Sequence, residues 1–144
     1  MARMVDIGNK PAVSRTATAS GFIRLKAETL KRIKAGKVSK GDVLSVAQTA
    51  AILAVKKTPD LVPLAHTIPI TATEVSLNLE KNGIRVDVEV KSRSQTGVEM
   101  EALAGVAGAL LTIWDMVKSL EKNEAGQYPT TLIEYIRVTR KVKG

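Results

Sequence analysis

IPITATEVSLNLEKNGIRVDVEVKSR, residues 68–93, is the stretch from which the fold is read. Each half alternates apolar and polar residues with the period of two that belongs to a half-buried β-strand. The halves are joined by Lys81-Asn82-Gly83, and an Asn-Gly pair between alternating strands is a strong hairpin signal. Upstream, SRTATASGFIRL (14–25) reads as a further strand. KAETLKRIKAG (26–36) reads as a short helix, with Leu30 and Ile33 facing inward and Gly36 as its stop. KGDVLSVAQTAAILAVKKTPD (40–60) carries a second helix, capped by Asp42 and ended by Pro59. Its expected apolar stripe is Val43, Val46, Ala47, Ala50, Leu53 and Ala54. Downstream, a long helix spans about Val98 to Lys122, and TLIEYIRVTRKV (131–142) is a final strand. The order β-α-α-β-β-α-β contains the split βαβ of a ferredoxin-like α+β sandwich, an antiparallel sheet with helices packed on one face, plus one extra helix. No repeat or linker interrupts it, so residues 1–144 form one domain.

Composition narrows the chemistry. With no cysteine, disulfides, thiol catalysis and thiolate metal sites are excluded. The net charge of +8 points to an anionic partner. Aromatic residues make up only 3% of the chain, too few for base-stacking platforms, so nucleic acid is not the expected ligand. No apolar run is read as a membrane span, and MARMVDIGNKPAVSR has no apolar signal-peptide core, so a cytoplasmic location is expected.

In TGVEMEALAGVAGALLTIWDMVKSLEKN, Leu103, Val106, Leu110, Ile113, Val117 and Leu120 recur at alternating steps of three and four, giving one stripe for the sheet. The other side carries Ala104, Gly105, Gly108, Ala109 and Thr112. Two mid-helix glycines cost about 1 kcal/mol each against alanine, which the close approach of another backbone would offset. Glu101 and Asp115 lie fourteen residues apart, on nearly the same face but about 21 Å apart along the axis. One small-molecule site in a single copy therefore cannot use both. Antiparallel pairing of two copies about Gly108 would bring Glu101 of one beside Asp115 of the other. Asp115 and Lys118 are one turn apart, a spacing that by itself suits a surface ion pair. Glu99 and Glu101 near the start of a helix are likewise favoured by its dipole. His66, the one histidine, sits between Pro63 and Pro69, where no ordinary helix can form.

Three stretches, MVDIGNKPAVSRTATASG, KGDVLSVAQTAAILAVKKTPDLVPLAHTIPIT and TGVEMEALAGVAGALLTIWDMVKSL, resemble the molybdenum cofactor biosynthesis protein C family, the cyclic pyranopterin monophosphate synthases. The likeness runs in order from about Met4 to Lys122. It implies the same ferredoxin-like fold, assembled as a hexamer of three dimers with active sites shared at the dimer interface. It implies a lyase whose substrate is 3′,8-cyclo-7,8-dihydroguanosine triphosphate and whose products are cyclic pyranopterin monophosphate and pyrophosphate. The implied catalytic residues are Lys118, Asp115 and Lys40; His66, Glu99, Met100, Glu101, Arg15 and Lys56 are implied in substrate binding. No resident metal or cofactor is implied, although Mg²⁺ can accompany the triphosphate.

Two departures stand out. The family often has Cys before the histidine and Pro after it, where this chain has Ala65 and Thr67. The glycine-rich, lysine-containing C-terminal motif of many members is absent, leaving Lys141 and Lys143 as the only lysines of the last strand. In the expected chemistry, Lys40, Arg15, Lys56 and His66 hold the triphosphate. Glu99 and Glu101 accept paired N–H donors from the pterin. Lys118, its pKa lowered by Lys40 and desolvation, moves protons with Asp115 positioning it.

Overall fold

The computed structural model describes residues 1–144. Its elements are β1 (Val13–Arg24), α1 (Ala27–Lys34), α2 (Val43–Lys56), α3 (Thr58–Leu61), β2 (Ile70–Glu80), β3 (Gly83–Ser94), α4 (Glu99–Glu121) and β4 (Leu132–Lys143). The four strands form one antiparallel sheet in the order β2-β3-β1-β4, the ferredoxin-like arrangement expected. The crossover from β1 to β2 is longer than the sequence suggests, because α3 adds a turn of its own. Pro59 does not end α2, which already stops at Lys56; it stands in the first turn of α3, where its missing N–H leaves no bond unmade.

The hairpin forms, but Gly83 serves a different purpose from the one its sequence suggests. Lys81 and Asn82 alone make the turn, and Gly83 pairs with Glu80 as the first residue of β3. Its φ is not positive, so the turn does not demand glycine there. A Cβ on Gly83 would instead collide with the Ile23 carbonyl and come within 2.7 Å of the Phe22 ring. Glycine lets β1 approach at this corner.

The core lies between the sheet and the two long helices. Ala17, Ala19 and Ile23 of β1 and Ile84, Val86, Val88 and Val90 of β3 present one fully buried face, and Val106, Leu110, Ile113 and Val117 of α4 cover it. By length and composition α4 alone could cross a membrane, with a mean hydropathy of 1.4, which corrects the expectation that no segment qualifies. Its apolar residues are taken up by sheet and α2, so it is a core helix.

Gly105 and Gly108 have the compensation they require, and α2 of the same chain supplies it. A Cβ at Gly105 would stand 2.8 Å from Val55 Cγ2, and one at Gly108 would stand 2.7 Å from Ala54 Cβ and 3.2 Å from the Ala50 carbonyl. The approaching backbone is thus not a second copy of α4. The core row of α2 is Val43, Ala47, Ala51 and Val55, spaced four apart. Val46 and Leu53, expected inside, are 42% and 56% exposed. The helix is apolar on two sides, and periodicity could not say which side meets α4.

β4 is an edge strand, exposed along almost its whole length. Arg137, Arg140, Lys141 and Lys143 line it, with Glu134 its one carboxylate.

Candidate active site

Two clusters of chemistry-bearing side chains sit at opposite ends of α4. At its N-terminal end, Glu99, Met100 and Glu101 form the first turn, where carboxylates suit the helix dipole. Glu101 is only 3% exposed, and burial, reinforced by the charge of Glu99, raises its pKa. One oxygen of Glu99 is buried without a hydrogen bond; Lys141 Nζ stands 3.5 Å from it as an ion-pair partner from β4. Lys141, rather than Lys143, is therefore the C-terminal lysine that meets the carboxylates.

A cavity of about 440 Å³ opens beside this turn. Glu99 and Glu101 supply its acids, while Met100, Leu64 and Ile68 supply apolar wall. His66 lines it from the Pro-flanked loop, donating its Nε2–H to the Val5 carbonyl at 2.6 Å. A carbonyl can only accept, so this contact puts a proton on Nε2. The same bond straps the N-terminal segment across the cavity, bringing Arg3 and Lys10 to its rim. Neither cation was expected here, because the segment has no periodic pattern from which its path could be read.

Glu101 and Ile68 also line a second cavity of about 250 Å³, to which Lys56 and Thr67 belong. Glu101 thus stands between the main cavity and Lys56. Arg15 lines neither. It is buried at 7% exposure in β1, where its Nε–H donates to the Ser94 carbonyl at 3.0 Å and ties β1 to the end of β3.

The second cluster lies toward the C-terminal end of α4. Lys118 Nζ is 2.9 Å from one oxygen of Asp115, and Lys40 Nζ is 3.0 Å from the other. Lys40 also donates to the Asp115 carbonyl at 3.2 Å. Lys40 reaches α4 from the turn before α2, where Gly41 adopts a φ of +120° that side-chain-bearing residues avoid, and Asp42 caps the helix by accepting the Ser45 N–H.

One expectation needs correction here. The Asp115 side chain is 57% exposed. Its pKa is lowered by the hydrogen bond from Lys118 first and that from Lys40 second. The Lys118 pKa is raised and not lowered, with Asp115 the main cause. The carboxylate sits between the two ammonium groups, so attraction to Asp115 outweighs repulsion from Lys40, and exposure removes the desolvation on which a lowered value depended.

The structure brings Glu99, Met100, Glu101 and His66 together, and separately Lys40, Asp115 and Lys118. It does not bring the two sets together, since fourteen helical residues, about 21 Å, separate Glu101 from Asp115.

Comparison with known proteins identifies the family. The model of the MoaC family matches residues 4–144. A probable cyclic pyranopterin monophosphate synthase of Methanococcoides burtonii is 61% identical over 142 residues, covering 99% of this chain and 89% of the relative. Proteins of the same description from Aeropyrum pernix and Thermococcus kodakarensis are 58% and 57% identical, covering 99% of this chain and 98% and 91% of their own lengths. With nearly every residue inside the match, the chain belongs to the MoaC family.

Proposed function

We infer that this protein is a cyclic pyranopterin monophosphate synthase of molybdenum cofactor biosynthesis, a lyase that converts 3′,8-cyclo-7,8-dihydroguanosine triphosphate to the cyclic pterin monophosphate and pyrophosphate. The observation that carries the reading is the bridged Lys40–Asp115–Lys118 cluster, set within a chain that matches its family over residues 4–144.

Each catalytic site is completed across a dimer. The carboxylate–imidazole end of α4 and its lysine end are too far apart to share one substrate within a single chain. Next to α4, Val46, Leu53, Leu61 and Leu111 are all at least 42% exposed, an apolar face without a partner in the monomer. A groove of about 490 Å³ runs along it, with Gly108 in its lining. Two copies packed antiparallel through this face place Glu101 of one beside Asp115 of the other, the two-fold arrangement expected from the sequence spacing. The hexamer is three such dimers.

In the completed site, Lys40, Lys118, Lys56 and the rim cations Arg3 and Lys10 neutralise the triphosphate and the pyrophosphate that leaves it. Met100 and its apolar neighbours face the planar ring. Glu99 accepts N–H donors from the pterin edge. Glu101, whose burial favours the protonated acid, supplies a proton as the ring opens and recloses, and Lys118 exchanges protons with Asp115 holding it. Mg²⁺ accompanying the triphosphate would be carried by the phosphate oxygens and would add to the neutralisation of their charge. Arg15 supports the site from below by fixing β1 to β3.

The test is turnover of the purified protein with the cyclic dihydro-GTP intermediate, following pyrophosphate and the pterin together. Wild-type protein forms both, and Lys118→Ala forms neither while keeping its assembly. A folded, assembled wild-type protein that forms neither product rejects the assignment.

A further inference from the structure

Residues 1–12 lie outside every helix and strand, yet they have a shape of their own. The Asp6 carboxylate accepts the Gly8 N–H at 2.8 Å, and the Lys10 N–H donates to the Ile7 carbonyl at 3.0 Å. These two bonds make a compact turn over residues 6–10. Pro11 follows as its base, without an N–H to bond, and β1 begins two residues later. There Val13 pairs with Ser94, just before Thr96 and Gly97, which line the main cavity. The segment is thus rooted beside the cavity and runs from that root to His66 on the Pro-flanked loop.

Beyond that root its attachment is slight. The bond from His66 Nε2–H to the Val5 carbonyl is the one hydrogen bond between residues 1–12 and the rest of the chain. Of these residues only Ile7 is partly buried. A segment with one such tie and little buried apolar surface belongs to the part of a fold that opens most readily. It nonetheless supplies four of the thirteen residues around the cavity, Arg3, Val5, Ile7 and Lys10, so whatever enters must pass it. Arg3 and Lys10 bring two positive charges to a wall whose carboxylates are Glu99 and Glu101. Neither cation makes an ion pair within the chain. Glu99 is met by Lys141, and Asp6, the one acid of the segment, is turned back on Gly8. Two unpaired cations on a lightly held arm can follow an anion into the cavity.

We propose that residues 1–12 are a lid on the candidate site. The arm lifts by releasing the His66 clasp, admits the cyclic dihydro-GTP, and closes with Arg3 and Lys10 on its phosphates. The inference rests on the synthase reading and adds to it how the triphosphate is enclosed. Arg3 and Lys10 then act on substrate capture, while the proton transfers stay with the groups of α4.

The test uses the assembled full-length enzyme. Arg3→Gln/Lys10→Gln removes both charges from exposed positions, so thermal unfolding is unaltered. Its KM for cyclic dihydro-GTP rises about tenfold with kcat changed by less than about twofold, which marks lost binding and intact chemistry. Lys31→Gln/Lys34→Gln on α1 removes the same net charge away from the cavity and keeps the wild-type KM. Closure is read by amide hydrogen exchange over residues 4–10 in Lys118→Ala, which holds substrate without consuming it. Exchange there slows about tenfold once cyclic dihydro-GTP saturates the protein. If wild type turns over but KM is unchanged in Arg3→Gln/Lys10→Gln, or exchange is equal in free and loaded protein, the lid alone is overturned. Wild type that forms no product rejects the synthase reading, and the lid with it.

Discussion

If each catalytic site takes Glu101 from one subunit and Lys118 from the other, two inactive variants restore each other when mixed. The perturbation is Glu101→Gln in one chain and Lys118→Ala in a second, differently tagged chain. Each homodimer has two damaged sites. In a mixed dimer, one site receives both substitutions and the other receives neither, so one site in two is intact. Random pairing of equal amounts makes half of the dimers mixed, and about a quarter of wild-type turnover returns. Purified mixed dimers, isolated through both tags, show about half. The distance behind this arithmetic is the rise along α4, which places Glu101 about 21 Å from Asp115 and about 25 Å from Lys118 in one chain. The assay is pyrophosphate release by co-expressed pairs, with each variant alone as the baseline. Turnover no higher than the sum of the two baselines, from mixed dimers verified by mass, refutes a shared site.

Other consequences can be measured separately. Leu111→Asp and Leu53→Asp place charge on the exposed apolar face, so each shifts the protein toward monomer in analytical ultracentrifugation and removes activity without unfolding it. Glu101 has a folded-state pKa above its unfolded value, so the folded form binds more protons and stability falls as pH rises through that interval. Glu101→Gln removes that loss, and chemical denaturation shows it gaining stability over wild type at pH 7 but not at pH 4. Gly83→Ala drives a methyl group into the Ile23 carbonyl and costs about 1–3 kcal/mol by urea unfolding. Glu121→Ala strands the buried hydroxyls of Thr29 and Thr131 and costs about 2–4 kcal/mol in the same assay.

Most of the architecture was legible because it is written in local periods. The alternation in β2 and β3 and the three-four spacing of α4 each specify a face, and four strands with these connections close into one sheet. The errors arose where a local signal had a distant cause. Asn82-Gly83 is a turn signal by composition, but the glycine is required by β1, sixty residues earlier in the chain. On α2 both candidate stripes are apolar, and α4 takes residues from each: Gly105 meets Val55, whereas Gly108 meets Ala50 and Ala54, leaving Val46 and Leu53 outside. At the site, the Asp115–Lys118 contact follows from one helical turn, whereas the arrival of Lys40, Arg3, Lys10 and Lys141 depends on loop paths that periodicity does not encode. The sign of the Lys118 shift was misjudged because the expectation weighed Lys40 directly against the lysine, without Asp115 between them.

The charged edge of β4 bears on how the protein behaves in solution. An unpaired strand is a template for another strand, and this one has apolar Ile136 and Val138 each 38% exposed. Four cations along twelve residues make a second β4 an unwelcome neighbour, so edge-to-edge growth of the sheet is held off by repulsion alone. Repulsion of that kind reaches only about 8 Å at physiological ionic strength and about 3 Å in molar salt. Concentrated salt or polyanions should therefore bring this protein out of solution through its last strand, with its fold and its helical face unchanged.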